Sequence, residues 1–166
     1  GAEGAVASLG PARMDMANVG MRLGGLFFPV PMTLSRLGRE HLVRASMEAM
    51  AYSVKANLQQ IEELAGETVQ NIVLGGGMTR ASTWVKIVAS VLDRSMKMST
   101  GPDVTAFGAY LCACTALGEY NSLEDAALSV RPTLRTVEPD SRHSVEYRYY
   151  YERWVELSKQ TQRLSV

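Results

Sequence analysis

The residues of this chain best suited to chemistry lie in the run Ile72-Val73-Leu74-Gly75-Gly76-Gly77-Met78-Thr79-Arg80. Three apolar, mostly β-branched residues read as a short buried strand, and three glycines follow at once. A helical pattern then begins near Ser82, carried by Trp84, Ile87, Val88, Val91 and Leu92. Strand, glycine turn and helix form a layout in which backbone without Cβ atoms approaches a ligand closely. The N–H groups of the helix start would then point towards that ligand. Phosphorylated ligands suit the arrangement. Glycines also serve plain tight turns, so the turn by itself leaves both readings open.

Other chemistries find less support. A dinucleotide fingerprint needs Gly-x-Gly-x-x-Gly and an acidic residue about 20 positions further on. Gly75 and Gly77 match its first two glycines, but Arg80 stands in the third place. The next strand ends at Ser99 and Thr100, with Asp93 before it and Asp103 after it. A Walker-type phosphate loop needs Gly-Lys, which the sequence does not contain. His41 and His143 are isolated and read as surface or capping groups. No serine stands in Gly-x-Ser-x-Gly, and no His, Asp or Glu cluster has metal-ligand spacing. No catalytic residue and no metal ligand is assigned. Cys112 and Cys114 would point to different faces of a helix and cannot bridge there. They read as buried free thiols, in keeping with a reducing cytoplasm.

Elements on both sides must position the glycine turn. Residues 1–35 are rich in Gly, Pro and Met and read as loops with short strands at 5–9 and 26–29. Residues 36–65 form the clearest helix, with Ser35 as N-cap and Gly66 as its stop. Its buried stripe is expected at Val43, Met47, Met50, Val54, Leu58, Ile61 and Leu64. Arg44 and Glu48, four apart, read as a solvated pair. A strand is expected at 94–98, then a helix opened by Pro102 and Asp103. That helix buries Val104, Phe107, Leu111, Cys114 and Leu117 and ends at Gly118. Ser122 caps a short helix, and residues 134–137 read as extended. Pro139 and Asp140 precede a last helix that docks Tyr147, Tyr150, Tyr151, Trp154 and Leu157 on a core. The strand–helix–strand–helix order from Ile72 to Leu117 predicts an α/β layer architecture.

The whole chain is 166 residues with 46% hydrophobic and 20% charged residues, enough for one domain with a sizeable core. Its 17 basic and 17 acidic residues give zero formal net charge, which argues against a nucleic-acid partner. The longest apolar runs are too short to span a bilayer. The opening Gly-Ala-Glu-Gly-Ala-Val-Ala is no signal peptide and reads as a start inside a larger protein.

Three segments together resemble one family, the FGGY carbohydrate kinases. Residues 38–52, with Arg44-Ala45 and Glu48-Ala49, resemble its long helix. Leu74-Gly75-Gly76-Gly77-Met78-Thr79-Arg80-Ala81-Ser82-Thr83-Trp84 resembles its adenosine loop. Asp103-Val104-Thr105-Ala106-Phe107-Gly108-Ala109-Tyr110-Leu111 resembles the Glu-x-x-Ala-x-Gly-Ala-Ala helix that follows. Arg22-Leu23-Gly24-Gly25-Leu26 fits weakly upstream. Xylulokinase-like members look nearest. Relatives usually carry Gln one place after Trp84 and Ala-Asp near the helix end, where this chain has Val85 and Ala89-Ser90. Ala49 stands where Gly is usual.

The resemblance implies an actin/hexokinase/ribonuclease-H-like α/β fold. Residues 1–166 would be most of the second, C-terminal domain, lacking its first strands, with the N-terminal domain absent. It implies an ATP-dependent transfer of the γ-phosphate to a sugar or polyol hydroxyl, with Mg2+ held mainly through the nucleotide phosphates. Gly75, Gly76, Gly77 and Arg80 would then bind the nucleotide. The catalytic base and the phosphate loop would lie upstream, and Asp15 lacks the glycine context of that base. The chain alone is therefore expected to be inactive, while the full protein is expected in the cytoplasm, compatible with a homodimer. The alternative is a non-catalytic module on the same fold with a vestigial nucleotide cleft.

Overall fold

The computed structural model describes residues 1–15, 23–34, 36–101, 103–130 and 133–164. Strand β1 (Val6–Ser8) pairs antiparallel with β2 (Gly25–Phe27), Ala7 opposite Leu26. The long helix α1 (Arg39–Ala65) follows, then β3 (Val73–Leu74) and α2 (Ser82–Leu92). Next come β4 (Met96–Ser99), α3 (Val104–Ala116), α4 (Leu123–Ser129), β5 (Leu134–Val137) and α5 (Ser141–Gln162). A second sheet has the order β3-β4-β5, parallel then antiparallel. Val73 lies opposite Lys97 and Met96 opposite Val137. The expected α/β order from Ile72 to Leu117 is therefore present, with α2 as the crossover between parallel strands.

The helix ends follow local chemistry. Gly66 takes a left-handed φ of 70° and closes α1, as its composition predicts. The start differs from expectation. Ser35 lies outside the described residues, and α1 begins at Arg39 after an extended Gly38. The Gly38 N–H donates to Nδ1 of His41 at 2.8 Å, so this histidine caps the helix. Asp140 caps α5 through the amides of Arg142 and His143. Ser122 caps α4 through the amide of Asp125 at 3.0 Å.

The core gathers between α1, α2, α5 and β1. The buried face of α1 is Ala45, Glu48, Ala49, Tyr52 and Ala56. The apolar stripe expected there is turned partly outward, with Val43 60%, Ile61 56% and Leu64 81% exposed. Met47, Val54 and Leu58 pack against the core only in part. Alanines at spacings of four and seven let neighbouring backbone come close, and that overrides the preference to bury larger side chains. α5 lays Tyr147, Tyr151 and Trp154 on this surface, as its pattern predicts, while Tyr150, also expected there, is 40% exposed because it falls on the outer side of the helix. Trp154 Nε1 donates to the carbonyl of Ala7 at 3.0 Å, and Ser8 and Thr161 hydroxyls meet at 3.1 Å.

Arg44 and Glu48 are not a solvated pair. Arg44 Nε meets Glu48 Oε1 at 2.7 Å, and Glu48 is only 6% exposed. The Tyr147 hydroxyl accepts from Arg44 and donates to the same Glu48 oxygen. Burial, helped by the Glu48 charge, pushes the Tyr147 phenol up to about 12. Lys55 links α1 to the end of α2 by donating to the Val91 carbonyl at 2.8 Å.

Glu62 joins the end of α1 to the approach to β4. Its carboxylate accepts two Arg94 hydrogen bonds, at 2.6 and 3.3 Å, and the Val69 amide at 2.9 Å. The Arg94 hydrogen bonds, then the Val69 amide, hold its carboxyl below the usual range. A depressed folded value means stability that is present above the ordinary glutamate value, about 4.3. That stability is lost as pH falls through the folded value. Glu62→Gln is expected to lower the melting temperature at neutral pH, with the difference from wild type shrinking on acidification. Melts across the acid range check this, and a pH-independent difference would contradict it.

α3 departs furthest from expectation. No α3 side chain is buried among the described residues. Phe107, Leu111 and Cys114 are half-covered, while Val104 and Leu117 are exposed. The thiols are free, as expected, but not buried: Cys112 is exposed and Cys114 half-buried. The helix packs on α4 and presents the rest of its surface outward.

Candidate functional site: the glycine turn and the start of α3

Beyond Leu74 the three glycines play three different parts. A Cβ on Gly75 would meet Val104 Cγ1 at 3.2 Å, so Gly75 lets the turn lie against the start of α3. Gly76 has φ 101°, a conformation that residues with a Cβ rarely adopt. Gly77 has neither restriction, and a Cβ there meets nothing within 4 Å. Gly77 opens a 3-10 turn, Gly77–Arg80, tied by the Thr79 amide and hydroxyl to the Gly76 carbonyl at 3.1 and 2.7 Å.

That turn forms one wall of a cavity of about 270 Å³, through Gly76, Gly77, Thr79 and Arg80. The opposite wall is the end of β4 and the turn into α3: Met98, Ser99, Thr100, Gly101, Asp103 and Val104. The cavity thus sits outside the carboxyl ends of the parallel strands β3 and β4, where open α/β sheets commonly receive ligands. Its volume is near the lower end for small-molecule sites. Arg80 brings a cation that makes no ion pair or hydrogen bond among the described residues. Asp103 brings a carboxylate, but its Oδ1 is engaged by the α3 amides of Thr105 and Ala106 at 2.9 and 3.3 Å.

Of the residues singled out in the sequence, Gly76, Gly77 and Arg80 meet in this cavity, and Gly75 sits behind it against Val104. The geometry corrects one detail. The start of α2 does not line the cavity, because the 3-10 turn intervenes. The second wall was missed by sequence reasoning. It exists because β4 lies parallel beside β3, which brings the residues after both strands to one end of the sheet. Pro102 itself lies outside the described residues, as does Arg22.

A family model, the C-terminal domain of the FGGY family of carbohydrate kinases, matches residues 18–117, more than half of the chain. The chain belongs to the FGGY family of carbohydrate kinases. Among curated relatives, an Escherichia coli (strain K12) L-fuculokinase is 29% identical over 113 residues, covering 68% of this chain and 21% of that protein. A Haemophilus influenzae (strain Rd) glycerol kinase is 31% identical over 112 residues, covering 68% of this chain and 22% of that protein. The chain thus spans about a fifth of the length of these relatives. Among solved structures, the xylulose kinase of Rhodospirillum rubrum aligns with a TM-score of 0.67 at 21% identity, over 96% of this chain and 31% of that one. Plasmodium falciparum glycerol kinase with ADP aligns with a TM-score of 0.66 at 16% identity, over the same shares. At such identities the likeness is one of fold, and the fold is the actin/hexokinase-like α/β fold of FGGY kinases, represented here in part. No helix among the described residues is long and apolar enough to cross a membrane.

Proposed function

We propose that this chain is the nucleotide-binding, C-terminal part of an ATP-dependent carbohydrate kinase. Residues 1–166 are then most of one domain, and the sugar pocket and catalytic base lie in other parts of the protein. The observation that carries this reading is the cavity between Gly76–Arg80 and Ser99–Val104 in a chain of this family. Gly76 supplies a backbone conformation closed to most other residues, Gly77 leaves room where a side chain would stand, and Arg80 supplies a cation without an ion pair among the described residues. These features fit a nucleotide whose phosphates carry negative charge. A similar solved structure, the Plasmodium falciparum glycerol kinase, contains ADP.

In the complete enzyme a base removes the proton of a sugar or polyol hydroxyl. The oxygen attacks the γ-phosphorus, and the bond to the β–γ bridging oxygen breaks to release ADP. Mg2+, when bound, neutralises charge on the transferring phosphoryl group. It would be held mainly through the nucleotide phosphates. Asp103 does not suit the role of base because its carboxylate caps α3. The reading also assigns the protein to the cytoplasm, where ATP is supplied.

The departures at Val85, Ala89 and Ser90 favour no vestigial cleft. All three are buried in α2 and line no part of the cavity. Ser90 Oγ instead accepts the Asp140 amide at 3.2 Å, tying α2 to the start of α5. The test is ATP titration and phosphoryl transfer to a panel of sugars and polyols by the full-length protein. We expect nucleotide binding and turnover there, and no turnover from residues 1–166 alone. A full-length protein that binds no adenine nucleotide would sink the proposal. Sugar phosphorylation by residues 1–166 alone would overturn the placement of the base.

A further inference from the structure

We infer that Val104 is a positioning residue for the nucleotide, acting through Gly75. This inference rests on the nucleotide-binding reading above. Val104 opens α3 and lines the cavity, yet its two methyl groups also stand 3.2 and 3.6 Å from the position a Gly75 Cβ would take. It therefore packs against the glycine that sits behind the opposite wall. The β3–β4 pairing holds the strand ends together, with Leu74 opposite Met98, but it stops short of the start of α3. No α3 side chain is buried among the described residues, and Asp103 caps only its own helix. The two sides of the cavity belong to different elements: the turn after β3, and the turn after β4. The contact between Val104 and Gly75 fixes the distance between them. Without it the α3 side relaxes away, and a ligand must restore the spacing on binding, which weakens affinity.

The contact also explains a glycine that no φ value requires. Gly75 is absent from the positive-φ residues, so its backbone tolerates alanine and only Val104 opposes a Cβ. A Cβ added at Gly75 should therefore be tolerated better once Val104 is shortened. Val104→Ala removes both nearby methyls, leaving only Val104 Cβ at 3.9 Å from the Gly75 Cβ position, an ordinary contact.

The experiment is ATP titration by calorimetry on the full-length protein, with melting temperatures measured in parallel. Val104→Ala is expected to weaken ATP binding roughly fivefold, the scale of coupling between residues in contact. Val104→Ile keeps both branches and is expected to lose clearly less affinity than Val104→Ala. Gly75→Ala is expected to weaken binding, and Gly75→Ala combined with Val104→Ala to bind more tightly than Gly75→Ala alone. Val104 is partly exposed, so the Ala and Ile pair decides even where Gly75→Ala is unstable. ATP affinity unchanged in Val104→Ala, equal loss in Val104→Ile, or strictly additive losses in the double variant would overturn the inference and leave the nucleotide-binding reading intact. Wild-type protein without ATP affinity would overturn both.

Discussion

Leucine in place of Gly77 in the full-length protein is expected to weaken ATP binding by at least about 100-fold, roughly 2.7 kcal/mol. The melting temperature should hardly change. The protein itself accepts the side chain: the Gly77 backbone is outside the left-handed region, and the direction of a Cβ is open. The leucine then takes space in a cavity of about 270 Å³ that a nucleotide needs. Gly76→Ala provides the contrast. At φ 101° a Cβ brings backbone strain of about 1–2 kcal/mol, so that variant should melt earlier as well as bind less well. Calorimetric titration beside thermal melts separates the two. Wild-type ATP affinity in Gly77→Leu would remove Gly77 from the nucleotide site.

Trp154→Ala is expected to cost about 3–5 kcal/mol of stability. The indole is 1% exposed, lies 6.1 Å from Tyr151 and 5.6 Å from Tyr52 between ring centres, and donates to Ala7. Truncation leaves a cavity and an unmet carbonyl in β1. A domain stable by about 5–15 kcal/mol loses a large part of its margin. Trp154→Phe fills most of the space and forfeits chiefly the hydrogen bond, about 1 kcal/mol. Urea unfolding midpoints of the full-length protein rank the variants. Equal costs for both would assign the stabilisation to the hydrogen bond rather than to packing.

The glycine turn, the places of its flanking strand and helix, the helix starts at Asp103 and after Asp140, and the cap at Ser122 were legible because each depends on a few adjacent residues; the burial expected of that strand was not, since Val73 is 56% exposed. Gly66 was legible for the same reason. The face of α1 was not. Pattern reading weighs Val43, Ile61 and Leu64 as core, whereas the packed surface is alanine, which lets neighbouring backbone approach closely. Glu48 looked solvated because its partners include Tyr147, far away in sequence. The second wall of the cavity depends on β3 and β4 being neighbours, a fact of topology. Gly75 looked like a ligand-facing glycine, and only the contact with Val104 separates it from Gly76 and Gly77.

The bond from Trp154 to Ala7 joins residues 147 apart in sequence, and the Ser8–Thr161 contact spans 153. These contacts of β1 can therefore close only once α5 is in place, after nearly all the intervening residues have folded. Such closure carries a large loop entropy that is recovered only at the end. Helices α1 and α2 can form and meet early, while the face of β1 that α5 covers is closed last. In a Trp84→Phe background, the rate at which Trp154 acquires its native fluorescence should accordingly lag behind the gain of helical signal. Removing residues 154–164 should leave the first strand unseated while much of the helical signal survives.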